Sequence, residues 1–451
     1  MIPELQSPHR SQSLVRIPPD TGVPLTDRVR RVVDTTAMQR LSRISQLGMV
    51  SLVYPGATHS RMEHSLGVYY NALRFLTRFI DDPALKDFIS VRDVDAFVLA
   101  ALVHDVGHWP YCHPIEDMRL EGMDQHESRV RRWLTKDELA DCIEEDWQCD
   151  VTDVCELLEG KFDQTGDSSQ RTKGFFHSCL SGPVDVDKLD YLGRDSLHAG
   201  VPYGRNFDVS RLIDSLCVHP DRFTLAVGEK GLTAAEMMVF SRYIMFSEVY
   251  WHHTVRSATA MLQRSVFLLQ NRMDLEASFH LTQSEWITLL QRAAEGSIAE
   301  PLVQGIFGRR RELYKRVAQF SVNAGASLHQ KLARRPYWWL VACSERLAEL
   351  ISQSTGVMVA AADILLDAPP VKLEVDINVD IVSRDGTTAS LGDMSPVVAV
   401  LAHRQFDDHV KRVRVFVRPA LRDQLRQRLP DAQSWAEQVE LAIEITEAEW
   451  V

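Results

Sequence analysis

Three short segments concentrate the side chains that can bind a divalent metal. They are Arg61-Met62-Glu63-His64-Ser65-Leu66-Gly67, Val103-His104-Asp105-Val106-Gly107-His108 and Asp185-Val186-Asp187-Lys188-Leu189-Asp190-Tyr191. A divalent cation that activates water needs several nitrogen or oxygen ligands and open positions for solvent and substrate. Two imidazoles and two carboxylates suit that task. They suit manganese, iron, nickel, zinc or magnesium in varying degree, so ligand type alone does not choose the ion. A second group follows the doublet: His108, His113 and His126, with Glu116 one turn beyond His113 and Glu127 next to His126. Imidazoles can protonate a leaving oxygen near neutral pH, and a carboxylate neighbour holds one in its protonated form.

Each signal also has a plainer reading. The His104-Asp105 doublet by itself serves equally well as a helix-end cap. Asp187, Tyr191 and Asp195 recur every fourth residue, with Lys188 and Arg194 beside them, as a ligand-contacting stripe would. A solvated face laced with ion pairs gives the same pattern and is the more frequent origin of it. A lone histidine is more often structural, but three so close to a metal-type doublet weigh against that for the group.

Positioning these residues requires helices. Leu66, Tyr69, Leu73, Leu76 and Ile80 step by three and four, and so do Val94, Phe97, Val98, Ala101 and Leu102. Two amphipathic helices follow, the second delivering His104-Asp105 at its C-terminal end before Gly107 and Pro110 stop it. Residues 160–174 are polar and without period and read as a loop. Helical patterning resumes near Val186 and runs to about residue 355, with breaks near Pro220 and around Gly228 and Gly231. Beyond that, Leu373, Val375, Ile377, Val379 and Ile381 alternate with polar residues before Asp385-Gly386, a hairpin-type turn, and Val413, Val415 and Val417 alternate again. The expected organisation is an arm over residues 1–25, a helical domain over 26–360 and a small α/β domain over 361–451.

Composition limits the function. A chain of 451 residues with 45% apolar and 25% charged residues is an ordinary globular protein. Its formal charge of −12 argues against a nucleic-acid-binding surface, so an anionic ligand needs a local basic pocket. No apolar stretch approaches the roughly 18 to 20 residues of a membrane span, which points to a cytoplasmic protein with no membrane partner. The seven cysteines include no C-x-x-C pair and read as reduced thiols.

Taken together, Asp34 through Gly48, Tyr54 through Gly67, His104 through His113, His126-Glu127 and Gly182 through Gly204 resemble the HD-domain superfamily of metal-dependent phosphohydrolases. The nearest resemblance is to its deoxynucleoside triphosphate triphosphohydrolase branch, and Val249 through Arg256 is similar as well. The resemblance implies a mainly α fold, an HD-domain helical bundle with the small C-terminal α/β domain. It implies His64, His104, Asp105 and Asp187 as metal ligands, and phosphate contacts from Arg61, His108, Lys188 and Arg256. It further implies acid-base or phosphate roles for His113 and His126, beside which the spacing alone places Glu116 as a catalytic candidate, and a deoxyribose site from Gln46, Tyr191 and Asp195. The implied reaction converts a deoxynucleoside triphosphate to deoxynucleoside and inorganic triphosphate. The rivals are an HD phosphohydrolase acting on another nucleotide or phosphate ester, and a nucleotide-sensing oligomer with little turnover. The branch also implies a homo-oligomer, dimer or tetramer, with an activating nucleotide between subunits. Asp34 and Gln39 match that second site, but Ser42 stands where an arginine contact is expected.

Overall fold

In a computed structural model of the chain, residues 2–6, 13–160, 168–370, 378–403 and 410–449 are described. Helices dominate and the sheets are small, as the sequence reading expects. The Arg61–Phe79 helix starts at Ser60, whose hydroxyl accepts from the Glu63 amide, and buries Leu66, Tyr69, Leu73 and Leu76. The Val91–Val103 helix opens on a Ser90/Asp93 capping box and is buried continuously from Val94 to Val103, so it lies inside rather than on the surface. His104 is its C-terminal cap. The Val186–Ala199 helix is capped by Asp185 and ends at Gly200, which takes the left-handed conformation.

Gly67 allows the first and third of these helices to meet. A Cβ there would lie 1.8 Å from Asp190 Oδ1 and 2.3 Å from the Arg194 guanidinium, so no larger residue fits without displacing both.

One sequence expectation gains detail and two are corrected. The arm over residues 1–25 is folded in its described part: Ser13–Ile17 pairs antiparallel with Asp20–Leu25, and Tyr69 donates to the Pro24 carbonyl at 3.0 Å. In the expected loop over 160–174, Gly160 ends a helix, residues 161–167 lie outside the described residues, and a helix begins at Ser168. That helix forms because Phe175 and Phe176 are buried, while Lys173 on its polar side pairs with Glu156 and Asp153.

The boundary at 360 is the third. The chain divides into two interleaved units, Met1–Trp109 with Asp124–Met245 and Asp376–His403, and Pro110–Met123 with Phe246–Val375 and Arg404–Val451. Strand pairing explains this, because the C-terminal strands find partners far upstream. Of the alternating run, positions 373, 375 and 377 lie outside the described residues, whereas Asp380–Val382 forms a hairpin with Thr388–Ser390 and pairs in parallel with Leu225–Gly228. Val413–Val417 lies between Lys315–Phe320 and Ile364–Asp367, antiparallel to both, and all five of its residues are buried.

The core of the second unit joins this three-stranded sheet to the Tyr337–Thr355 and Ala432–Glu449 helices through Leu340, Leu347, Val415, Trp435 and Ile443. Trp435 is almost fully buried and donates to the Leu429 carbonyl at 3.1 Å. Truncation there leaves a large cavity and an unpaired carbonyl. Trp435→Ala is expected to cost about 3–5 kcal/mol, measured by urea unfolding followed by circular dichroism.

Candidate metal centre

His64, His104 and Asp105 offer ligand atoms that all lie within 4.8 Å of one another. The two imidazoles face each other, Nε2 to Nε2, at 3.3 Å. Both rings are held from behind. His64 Nδ1 lies 2.8 Å from Asp190 Oδ2, and His104 Nδ1 donates to the Ala101 carbonyl at 2.9 Å. Committing both Nδ1 protons in this way turns both Nε2 atoms into the same small space, the arrangement of metal-binding histidines. Asp105 Oδ1 is 3.3 Å from His104 Nε2, and Asp187 Oδ1 is 3.0 Å from His64 Nε2. Two imidazole nitrogens and the Asp105 carboxylate therefore share one small space, with Asp187 alongside His64, and this donor set fits a divalent cation.

The electrostatics agree with that fit. Burial opposes the imidazolium of His64, yet Asp187 and Asp190 outweigh it and lift its pKa to about 10, so positive charge is stabilised at this spot. Burial likewise opposes ionisation of Asp187, but His64, His104 and Lys188 hold it down to about 2. Asp105 is also buried, and His108, His104 and Arg61 keep it well below the usual carboxylate range. His64 and Asp105 form the closed back of the cluster, with side chains 2% and 6% exposed. Asp187, 35% exposed, and His104, 17% exposed, form the side open to a ligand.

Several expected neighbours sit against this cluster. Arg61 donates from one terminal nitrogen to Asp105 Oδ2 at 2.7 Å, while its buried Nε has no hydrogen-bond partner among the described residues. The buried Gln46 Oε1 has none either, although the Gln46 amide binds the His59 carbonyl close to the start of the Arg61–Phe79 helix. His108 Nδ1 is 3.0 Å from Asp105 Oδ1, and its ring centroid is 3.8 Å from that of His126. Burial, with Arg61 and His126 nearby, pushes His108 well below its ordinary value, so it is neutral at pH 7. Tyr191 shares the electrostatic surroundings of Lys188 and Arg242, and burial raises its hydroxyl.

Other expected contacts are engaged elsewhere. Lys188 reaches back to its own helix cap, Asp185, at 2.6 Å. Asp195 is buried against His59 at 2.9 Å, and His59 stacks on His198. Arg256 belongs to the second unit and grips Asp367 with two nitrogens, at 2.6 and 3.2 Å. His113 and Glu116 also belong to the second unit, 3.7 Å apart. Asp190 was missed as a functional residue, because from sequence it is only half of an i,i+4 pair with Arg194.

A family model for the HD associated region matches residues 207–436, just over half of the chain. An uncharacterised protein of Methanocaldococcus jannaschii is 28% identical over 382 residues, covering 84% of this chain and 73% of its own length. The deoxynucleoside triphosphate triphosphohydrolase SAMHD1 of Gallus gallus is 28% identical over 327 residues, covering 63% of this chain, so that the match spans about half, 52%, of that relative. A solved hypothetical protein from Aquifex aeolicus superposes with a TM-score of 0.68 at 25% identity, covering 90% of this chain and 97% of its own.

With His64 lifted to about 10, a cation that takes its Nε2 must displace a proton. Mn2+ binding at pH 7.5 is expected to release about one proton, and affinity to rise with pH up to about 10. Calorimetry in two buffers of different ionisation enthalpy measures the count, and a value of zero contradicts this electrostatic account.

Proposed function

We propose, for a chain that belongs to the HD-associated family and through it to the HD-domain superfamily, on its deoxynucleoside triphosphate triphosphohydrolase-like branch, that it is a metal-dependent phosphohydrolase converting deoxynucleoside triphosphates to deoxynucleoside and inorganic triphosphate. The observation that carries this reading is the pair of Nε2 atoms 3.3 Å apart, flanked by Asp105 and Asp187. His64, His104, Asp105 and Asp187 would hold the divalent cation, which would supply Lewis acidity for a phosphoryl oxygen and lower the pKa of water.

The chain's own residues do the rest. Arg61 is locked by Asp105 with its Nε still available, so it can donate to a phosphate oxygen without reorganising. Neutral His108 offers that phosphate a hydrogen bond rather than a full charge. The Gln46 amide oxygen can accept from a sugar hydroxyl, and Tyr191 can wall the ring. Protonation of the departing 5′ oxygen falls to His113 or His126. His113 has a carboxylate neighbour in Glu116, and the His126 ring lies against that of His108. The reading includes a homo-oligomer in the cytoplasm. Asp34 and Gln39 are exposed where an activating nucleotide would meet the surface, while Ser42 supplies no guanidinium there.

One observation favours the rival substrate class. Lys188 is tied to Asp185 and Arg256 to Asp367, so two cations expected along a triphosphate are already neutralised. A shorter phosphate ester needs fewer.

Product analysis decides between them. Incubation of each deoxynucleoside triphosphate with Mn2+ or Mg2+, with its ribo counterpart run alongside for comparison, is expected to yield deoxynucleoside plus intact triphosphate from the deoxynucleotide. His104→Ala is expected to lower kcat at least about a hundredfold. Stepwise orthophosphate release would instead establish the rival.

A further inference from the structure

His64 is aimed by Asp190, and Asp190 is itself immobilised. Its Oδ2 accepts from His64 Nδ1 at 2.8 Å and from Arg194 Nε at 2.9 Å, and its Oδ1 accepts from an Arg194 terminal nitrogen at 2.7 Å. The fork of Arg194 thus grips the carboxylate in plane, the bidentate geometry that lysine cannot reproduce. The Arg194 side chain is fully buried, and its other contacts fix it in turn. One terminal nitrogen donates to the Pro18 carbonyl and to Glu63 Oε1 at 3.2 Å, and the other reaches Asp20 Oδ2 at 3.4 Å. Pro18 and Asp20 form the tip of the N-terminal hairpin. Gly67 supplies the space in which this packing occurs.

We propose that Asp190 and Arg194 act as one positioning unit for the metal ligand His64, and that the N-terminal hairpin holds that unit in place. The inference rests on the metal-centre reading above. Neither residue touches the cation. Asp190 fixes the His64 ring so that Nε2 faces His104, and Arg194 keeps Asp190 from rotating away. The hairpin closes the last open side of the guanidinium, so a segment remote in sequence from every ligand contributes to metal affinity.

The test is Mn2+ affinity of the full chain, by electron paramagnetic resonance of the free aquo ion. Circular dichroism and the unfolding midpoint in chelator report separately on folding. Asp190→Asn and Arg194→Lys are each expected to weaken binding by about 10- to 100-fold. The double variant should be little weaker than the worse single one, because both break one unit. Asp20→Ala is expected to lose about two- to fivefold, the worth of one partly exposed ion pair. Parental affinity in a folded Arg194→Lys protein overturns the proposal, and so does a double variant whose losses multiply. If Arg194→Lys does not fold, parental affinity in Asp190→Asn overturns it instead. A parent that binds no Mn2+ sinks the metal-centre reading rather than this inference.

Discussion

Two imidazole nitrogens held 3.3 Å apart, each with its ring's other nitrogen already committed, face the same point. Such a pair repels unless positive charge lies on or between the nitrogens, and the adjoining Asp105 and Asp187 strengthen that demand. The lifted pKa of His64 and the depressed pKa of Asp187 are two expressions of one field. A divalent cation would meet His64, His104 and Asp105 at once, with Asp187 beside it, where a proton satisfies only one nitrogen and its nearest carboxylate.

The secondary structure serves this arrangement. His104 sits at the C-terminal cap of a helix buried on nearly every side, where the helix dipole favours positive charge. Asp187 occupies the first turn of the Val186–Ala199 helix, where the dipole favours a carboxylate. His64 lies in the second turn of a helix that Gly67 brings against Asp190 and Arg194. Burial of Arg194 among Asp190, Glu63 and Asp20 removes a charge from water at a cost that only multiple acceptors offset. Its presence in the core is therefore better explained by holding geometry than by adding stability.

Much of this was legible in sequence where a local rule governs. The three-and-four stepping of Leu66, Tyr69, Leu73 and Leu76 predicts the helix that carries His64, and the apolar stripe ending at Leu102 predicts the delivery of His104 and Asp105. The resemblance joined segments more than 80 residues apart into one ligand set, which periodicity alone could not do. What was not legible depends on partner choice across the fold. Lys188, Asp195 and Arg256 look like ligand contacts until Asp185, His59 and Asp367 are seen to engage them. The division at residue 360 failed because Val413–Val417 pairs with a strand nearly a hundred residues earlier, which no change of composition announces.

The central claim is that His64 and His104 both bind one cation. Pulsed electron paramagnetic resonance of the Mn2+-loaded protein tests it most directly, through the coupling of imidazole nitrogen to the metal. Two directly coordinated imidazole nitrogens are predicted, falling to one in His64→Ala. A spectrum of Mn2+ with oxygen ligands alone would contradict the account.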